Sequence, residues 1–218
     1  MASEIAWDVV YTEICSSLNI NCMDDDTSAN YLSGLRDRSY ILWERLRTSQ
    51  NGNFIVVGNG PDTGADDLYR VMDPGEILVV ADSAVRVIPD GVVPDIIVSD
   101  LDGNISVISK MVEEGSILFL HAHGDNLKAI SGNIQVFNGF YIPTRQGPNP
   151  PSMFNPHGFT DGDRAVMICR YLGAKRIKLL GFSYEKPFNK GDIVMKMKKL
   201  KFAKRIIDSI DDVEIVYV

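Results

Sequence analysis

Ile96-Ile97-Val98-Ser99-Asp100-Leu101-Asp102-Gly103 is the stretch on which the reading of the fold turns. A run of branched apolar residues passes through Ser99 into a pair of acids and a glycine. A strand with one wet face alternates apolar and polar side chains, whereas a continuous run belongs to a strand covered on both faces. The pattern recurs upstream in Phe54-Ile55-Val56-Val57 and Ile77-Leu78-Val79-Val80. Downstream it recurs in Ile117-Leu118-Phe119-Leu120, Ile177-Lys178-Leu179-Leu180 and Val213-Glu214-Ile215-Val216. Helical patterns fit between several of these runs, near 106–114, 163–172 and 192–210. Strand and helix in alternation predict an α/β fold, a Rossmann-like and mainly parallel sheet with helices on both faces.

Ahead of the first run, Ile5, Val9, Val10, Ile14 and Leu18 recur at helical spacing. Asp24-Asp25-Asp26-Thr27-Ser28 reads as a loop and N-cap. A second helix then follows over 28–47, with Tyr31, Leu32, Leu35, Leu42 and Leu46 along one stripe, until Asn51-Gly52 ends it. The chain therefore divides into an N-terminal helical extension over 1–52 and an α/β domain over 53–218. The stretch 141–162 breaks the rhythm with Pro143, Pro148, Pro150, Pro151 and Pro156. So long a structureless segment inside a compact domain reads as a lid, a binding loop or disorder.

Composition narrows the function classes. The 218 residues carry a formal net charge of -7, which argues against general nucleic-acid binding. There is no apolar run of about 18 residues or more, so no membrane span is expected. The N-terminus lacks the basic start of a secretory signal, and the expectation is a cytoplasmic protein. Cys15, Cys22 and Cys169 form no CxxC pair and no zinc spacing, and are expected as reduced thiols. If the substrate is a nucleotide, an acidic protein needs a cation between its carboxylates and the phosphates, and a divalent metal is the simplest choice.

The chemistry is written where the apolar runs end. They pass into Gly58-Asn59-Gly60-Pro61, Asp82-Ser83, Asp100-Leu101-Asp102-Gly103, His121-Ala122-His123-Gly124-Asp125-Asn126 and Gly181-Phe182-Ser183-Tyr184. In a parallel sheet these ends share one edge, and ligands bind in the crevice outside it. Alternate side chains of an extended chain point the same way, so Asp100 and Asp102 are expected to face one ion, with Asp82, Asp95 and Asp125 on the same edge. Oxygen ligands of this kind suit Mg²⁺. The competing reading of Asp102-Gly103 is a tight turn.

Gly58-Asn59-Gly60 can bring backbone N–H groups to a phosphate. It fits neither the GxxxxGK[ST] loop nor, because Gly64 comes one residue late, the dinucleotide fingerprint. The HxHxD run His121-Ala122-His123-Gly124-Asp125 resembles a dinuclear zinc motif, but His157 is the sole other histidine, too few for such a site. In Thr160-Asp161-Gly162-Asp163 one aspartate is expected to cap a helix and the other to face a ligand. Lys196, Lys198, Lys199, Lys201, Lys204 and Arg205 cluster near the end of the chain. They read as the solvated side of an amphipathic helix whose apolar side holds Ile193, Met197, Leu200, Ile207 and Ile210; the alternative is a phosphate patch.

Four runs together resemble the archaeal 6-hydroxymethyl-7,8-dihydropterin pyrophosphokinases. They are Gly58-Asn59-Gly60-Pro61, the segment from Gly91 to Gly103, His121 to Asn126, and Gly158-Phe159-Thr160-Asp161-Gly162-Asp163-Arg164-Ala165. This chain departs from the family at Asp62, often serine there, and at Ala84, where the family tends to have Gly-Ala. The family is similar in fold to the thiamine pyrophosphokinase catalytic domain. The resemblance implies that 53–218 is a catalytic domain and that Mg²⁺ sits on Asp100, Asp102 and Asp125, with Asp82 and Asp95 beside it. It implies further contacts to ATP or the pterin from Gly58, Asn59, Gly60, His123, Asn126, Arg145, Thr160, Asp161 and Asp163. The implied reaction moves the β,γ-diphosphate of ATP to a pterin hydroxymethyl group and releases AMP. The implied partners are ATP and the pterin, with no nucleic acid and no membrane, and the N-terminal helices offer a surface for a homodimer.

Three rival readings remain. Asp100-Leu101-Asp102-Gly103 also fits the DxDG nucleophile motif of haloacid-dehalogenase-type phosphatases, although that motif normally opens its domain. Thiamine is an alternative acceptor. A non-catalytic nucleotide sensor is an alternative of a different class.

Overall fold

The computed structural model describes residues 6–48, 52–186 and 192–218. The strands are β1 Asn53–Val57, β2 Ile77–Ala81, β3 Ile96–Ser99, β4 Ile117–His121, β5 Ile142–Thr144, β6 Arg176–Leu180 and β7 Glu214–Tyr217. The helices are α1 Trp7–Leu18, α2 Met23–Ser33, α3 Ser39–Thr48, α4 Ala65–Val71, α5 Ile105–Glu113, α6 Leu127–Asn133, α7 Asp161–Tyr171 and α8 Ile193–Asp208. All seven strands form one parallel sheet in the order β5-β4-β3-β2-β1-β6-β7.

That order explains the continuous apolar runs. Ile55 and Val57 of β1 pack with Leu68 of α4, Ile108 of α5 and Ile130 of α6 on one face. Phe54 and Val56 pack with Ala165 and Ile168 of α7 and Ile207 of α8 on the other. Along the inner strands most residues meet apolar neighbours whichever way they point, so alternation would bury polar groups. The first helices join both layers: Ala29 and Leu32 of α2 enter one core, Leu42 and Leu46 of α3 the other. Helix α1 packs its Val10, Ile14 and Leu18 with Phe159 and with Ile206 of α8.

From β1 the chain moves outward through β2 to β5, then returns to β6 on the other side of β1. The connections leaving β1 and β6 therefore diverge, and the C-terminal ends of these two strands flank a topological switch point. Among the described residues, no helix is long and apolar enough to cross a membrane.

Several expectations are corrected. The acids Asp24, Asp25 and Asp26 lie in the first turn of α2, where negative side chains are favoured by the helix dipole, and not in a loop. The single helix expected over 28–47 is two, because the chain leaves helical geometry after Gly34. The expected positions Ile5 and Asn51 lie outside the described residues. The proline-rich stretch contains strand β5, an edge strand in which Pro143 is tolerated. Cys15 and Cys22 are joined in a disulfide, with Cα atoms 6.0 Å apart. Asn19 turns left-handed at the end of α1 and folds the chain back, which brings the two cysteines together. Cys169 is free and buried.

Candidate active site

Three carboxylates meet at the C-terminal edge of the sheet. Asp82 follows β2, Asp100 follows β3, and Asp161 opens α7. One oxygen from each lies within 4.8 Å of the others. Asp82 is buried and holds a φ of 27°, a backbone angle that non-glycine residues adopt at a cost. One of its oxygens accepts the Ser99 hydroxyl, while the other, Oδ2, has no hydrogen-bond partner. Gly103 is required beside it, since a Cβ there would collide with the Asp82 carboxylate. Burial first, then the charges of Asp161 and Asp100, push Asp82 up to about 9. Burial, followed by the charge of Asp100, pushes Asp161 well above the usual carboxylate range.

Asp100 behaves differently. Burial raises it, yet the His123 imidazole outweighs burial and holds its carboxyl below the ordinary value. His123 Nε2 lies 2.9 Å from Asp100 Oδ2, and Nδ1 lies 2.6 Å from Asp125 Oδ1. Burial opposes a charge on His123, but these two carboxylates carry it up to about 9. The hydrogen bond to His123 holds Asp125 down to about 2. At neutral pH the three groups form an acid–imidazolium–acid chain.

This arrangement changes the expected ligand set. Asp125 was expected beside Asp100 and Asp102, but His123 stands between it and Asp100, and its side chain is 90% exposed. Asp102 was expected to share Asp100's direction. Instead Leu101 adopts a φ of 67°, the chain turns, and the Asp102 N–H donates to Asp100 Oδ1 at 3.1 Å. The period-two rule holds for extended chain, and β3 has ended at Ser99. Asp102 thus lines the rim of the cluster while Asp161, from a distant segment, completes it. Asp95 precedes β3, which puts it at the opposite edge of the sheet, where its carboxylate accepts the Leu78 N–H at 2.8 Å.

The remaining sequence-derived candidates sort by what already satisfies them. Asn126 spends its amide donors on the carbonyls of Asp100 and His121 and accepts the His123 N–H, so it ties the ends of β3 and β4 together. Asp163 accepts the N–H groups of Phe159 and Thr160 and the Thr160 hydroxyl, and is the cap that one of the two aspartates was expected to be. Arg145 donates to the carbonyls of Met153 and Gly147 in its own loop. His121 is fully buried and pushed well below its ordinary value by burial, as a core histidine should be. Thr160 and Asp161 face the clefts described next.

Two clefts flank the carboxylates. The first lies at the switch point and is lined by Gly58, Asn59, Gly60, Phe182 and Tyr184, together with Asp82, Asp102 and Asp161. Glycine is needed here because a Cβ on Gly60 would lie 2.7 Å from the Gly181 carbonyl oxygen. Asn59 is oriented by Arg86, whose Nε donates to its Oδ1 at 2.5 Å, and donates in turn to the Ser83 hydroxyl at 2.7 Å. The second cleft is lined by Asp100, His123, Gln146, Phe159, Arg164 and by Asn21, Asp24 and Asp25 from the N-terminal segment. Asp25 holds this wall together: it accepts the Gly124 N–H at 2.6 Å, the Tyr11 hydroxyl at 2.5 Å and the Gln146 amide at 2.7 Å.

Two features escaped the sequence reading, and a third was weighed there only as an alternative. Arg164 is buried and pairs with Asp161 at 2.8 Å, a contact that its i+3 spacing could have suggested. Asp25 carries no local signal, since its partners are distant in sequence. Lys196 and Lys199 line the first cleft, so part of the basic face of α8 borders the site as well as solvent.

Chemically, the cluster fits a small divalent cation with a preference for oxygen. Three clustered carboxylates, one with a buried and unpartnered oxygen, repel one another unless a cation or protons intervene. A family model described as 6-hydroxymethylpterin diphosphokinase MptE-like matches residues 29–186. A 6-hydroxymethyl-7,8-dihydropterin pyrophosphokinase of Methanothermobacter thermautotrophicus is 32% identical over 91% of this chain and 90% of its own length. Proteins of the same description from Methanocaldococcus jannaschii and Pyrococcus furiosus are 30% and 29% identical, over 94% and 93% of this chain and 95% and 91% of their own lengths. The matched segment contains all three clustered carboxylates, and the chain belongs to the MptE-like 6-hydroxymethylpterin diphosphokinase family.

Proposed function

We propose that this chain transfers the β,γ-diphosphate of ATP to the hydroxymethyl group of 6-hydroxymethyl-7,8-dihydropterin, with Mg²⁺, and releases AMP. The observation that carries the reading is the trio Asp82, Asp100 and Asp161 set between two clefts at the C-terminal edge. The family membership supplies the acceptor. Asp82, Asp100 and Asp161 are the residues that would hold Mg²⁺, with Asp102 at the rim. Bound there, the cation supplies charge neutralisation for phosphate oxygens during transfer.

The chain's own residues do the positioning. Gly58 and Gly60 leave backbone room for a nucleotide in the first cleft. Asn59, aimed by Arg86, offers it a polar contact. His123 fixes the orientation of Asp100, and Arg164 that of Asp161. The second cleft takes the pterin. The donor edge of that ring suits a carboxylate, and Asp24 lies in that wall. The ring itself suits the face of Phe159.

An AMP-release assay with ATP and Mg²⁺ tests the reading. AMP should form with hydroxymethyldihydropterin, should not form with thiamine, and should stop when EDTA removes the cation. AMP formation with thiamine in place of the pterin would transfer the protein to the thiamine reading. Phosphate release from monoesters without AMP would transfer it to the phosphatase reading.

A further inference from the structure

We infer that Lys199, on the cleft-facing side of α8, holds the diphosphate as it passes from nucleotide to acceptor. The inference rests on the two-cleft reading above. The linings of the two clefts overlap at Asp102, Thr160, Asp161 and Lys199. Among the described residues, Lys199 is the one cation that lines both clefts. Arg164 faces the second cleft alone, and Lys196 the first alone.

Charge makes this position consequential. The reaction forms a bond from the pterin hydroxymethyl oxygen to the β-phosphorus and breaks the bond from that phosphorus to the oxygen bridging to the α-phosphate. The electron pair leaves on AMP, and the hydroxyl proton is released. The migrating group is an anion throughout, and the protein groups at the junction are carboxylates. A cation reachable from both sides stabilises the group at the midpoint of its path, where neither cleft holds it fully. Lysine suits a moving partner because its ammonium is a compact charge on a flexible stem. The ammonium of Lys199 stands 5.8 Å from the centre of the Phe159 ring, which gives it a resting place at the cleft wall. Its charge is also felt at Asp125, on the outer side of the second cleft.

The test uses the full-length protein. Lys199→Ala should lower kcat by about 10²-fold, the scale of removing one group that meets transition-state charge. Its affinity for α,β-methylene-ATP, measured by calorimetry, should stay within a few-fold of wild type. Lys199→Arg should recover part of the lost kcat. Lys198→Ala and Lys201→Ala, exposed positions on the same helix that line neither cleft, should leave kcat unchanged. Lys199 is itself exposed, so folding should survive, and thermal unfolding checks that. Wild-type kcat in Lys199→Ala would overturn the role. So would a loss confined to nucleotide affinity with kcat intact. If wild-type protein forms no pterin-dependent AMP, the functional reading fails first and this role with it.

Discussion

At the edge where the strands begin, Lys178 of β6 is only 7% exposed, and its ammonium meets Asp73 at 2.6 Å, Glu76 at 3.0 Å and the Val71 carbonyl at 2.8 Å. At the edge where the strands end, Asp82, Asp100 and Asp161 crowd together, and one oxygen of Asp82 has no partner. Both regions gather acids at strand termini. The first is closed, because a buried cation and backbone groups satisfy it. The second is open, because His123 and Arg164 pair with Asp100 and Asp161 while Asp82 keeps an unpartnered oxygen. A satisfied cluster stabilises a fold, whereas an unsatisfied one is waiting for a ligand.

The comparison breaks most visibly at Asp100. Asp100→Asn should cut pterin-dependent AMP formation by about 10³-fold, or about 4 kcal/mol of transition-state stabilisation. Thermal stability without added metal should fall only modestly, because the lost Asp100–His123 pair is partly offset by relief of like-charge repulsion in the trio. Activity close to wild type would show that the open cluster is not the reacting centre.

Lys178→Met should do the reverse. It strands the Glu76 carboxylate, 6% exposed, without its cation. The expected cost is on the order of 3 kcal/mol of folding stability in urea titration, as for other broken buried pairs. The kcat of the protein that remains folded should be unchanged. A loss of kcat with full stability would erase the distinction between the two edges.

How much of this was legible beforehand follows the range of the interactions involved. Six strands showed as apolar runs because burial on both faces imposes that composition locally. Strand β5 did not show, because Ile142-Pro143-Thr144 is short and proline is a poor strand signal. The short helices α4 and α6, each of seven residues, had too few turns for a period to emerge. Asp82 and Asp100 were legible as strand-end acids. Asp161 was legible as a ligand-facing candidate, but its place beside Asp82 and Asp100 was not, since that depends on how α7 docks. Asp125 does not join the trio, because its neighbour His123, and not Asp125 itself, reaches Asp100. The fold was written in local patterns, while the ligand set depended on long-range docking.

Asp95 is where a local pattern misled most simply, and it yields the smallest effect. It sits in Val93-Pro94-Asp95-Ile96, within the run that carries the family resemblance, and so reads as part of the site. Yet an acid before a strand and an acid after it lie at opposite ends of that strand. Asp95 extends the pairing of β3 with β2 by one rung, its carboxylate accepting the N–H of the buried Leu78. Asp95→Ala should cost about 1 kcal/mol, the value of one hydrogen bond whose donor keeps some access to water beside an exposed residue. Its kcat and its Mg²⁺ dependence should match wild type. If instead Asp95→Ala lost activity on the scale of Asp100→Asn while keeping its stability, the acids of both edges would belong to one functional set. The contrast between a closed edge and an open one would then have no chemical meaning.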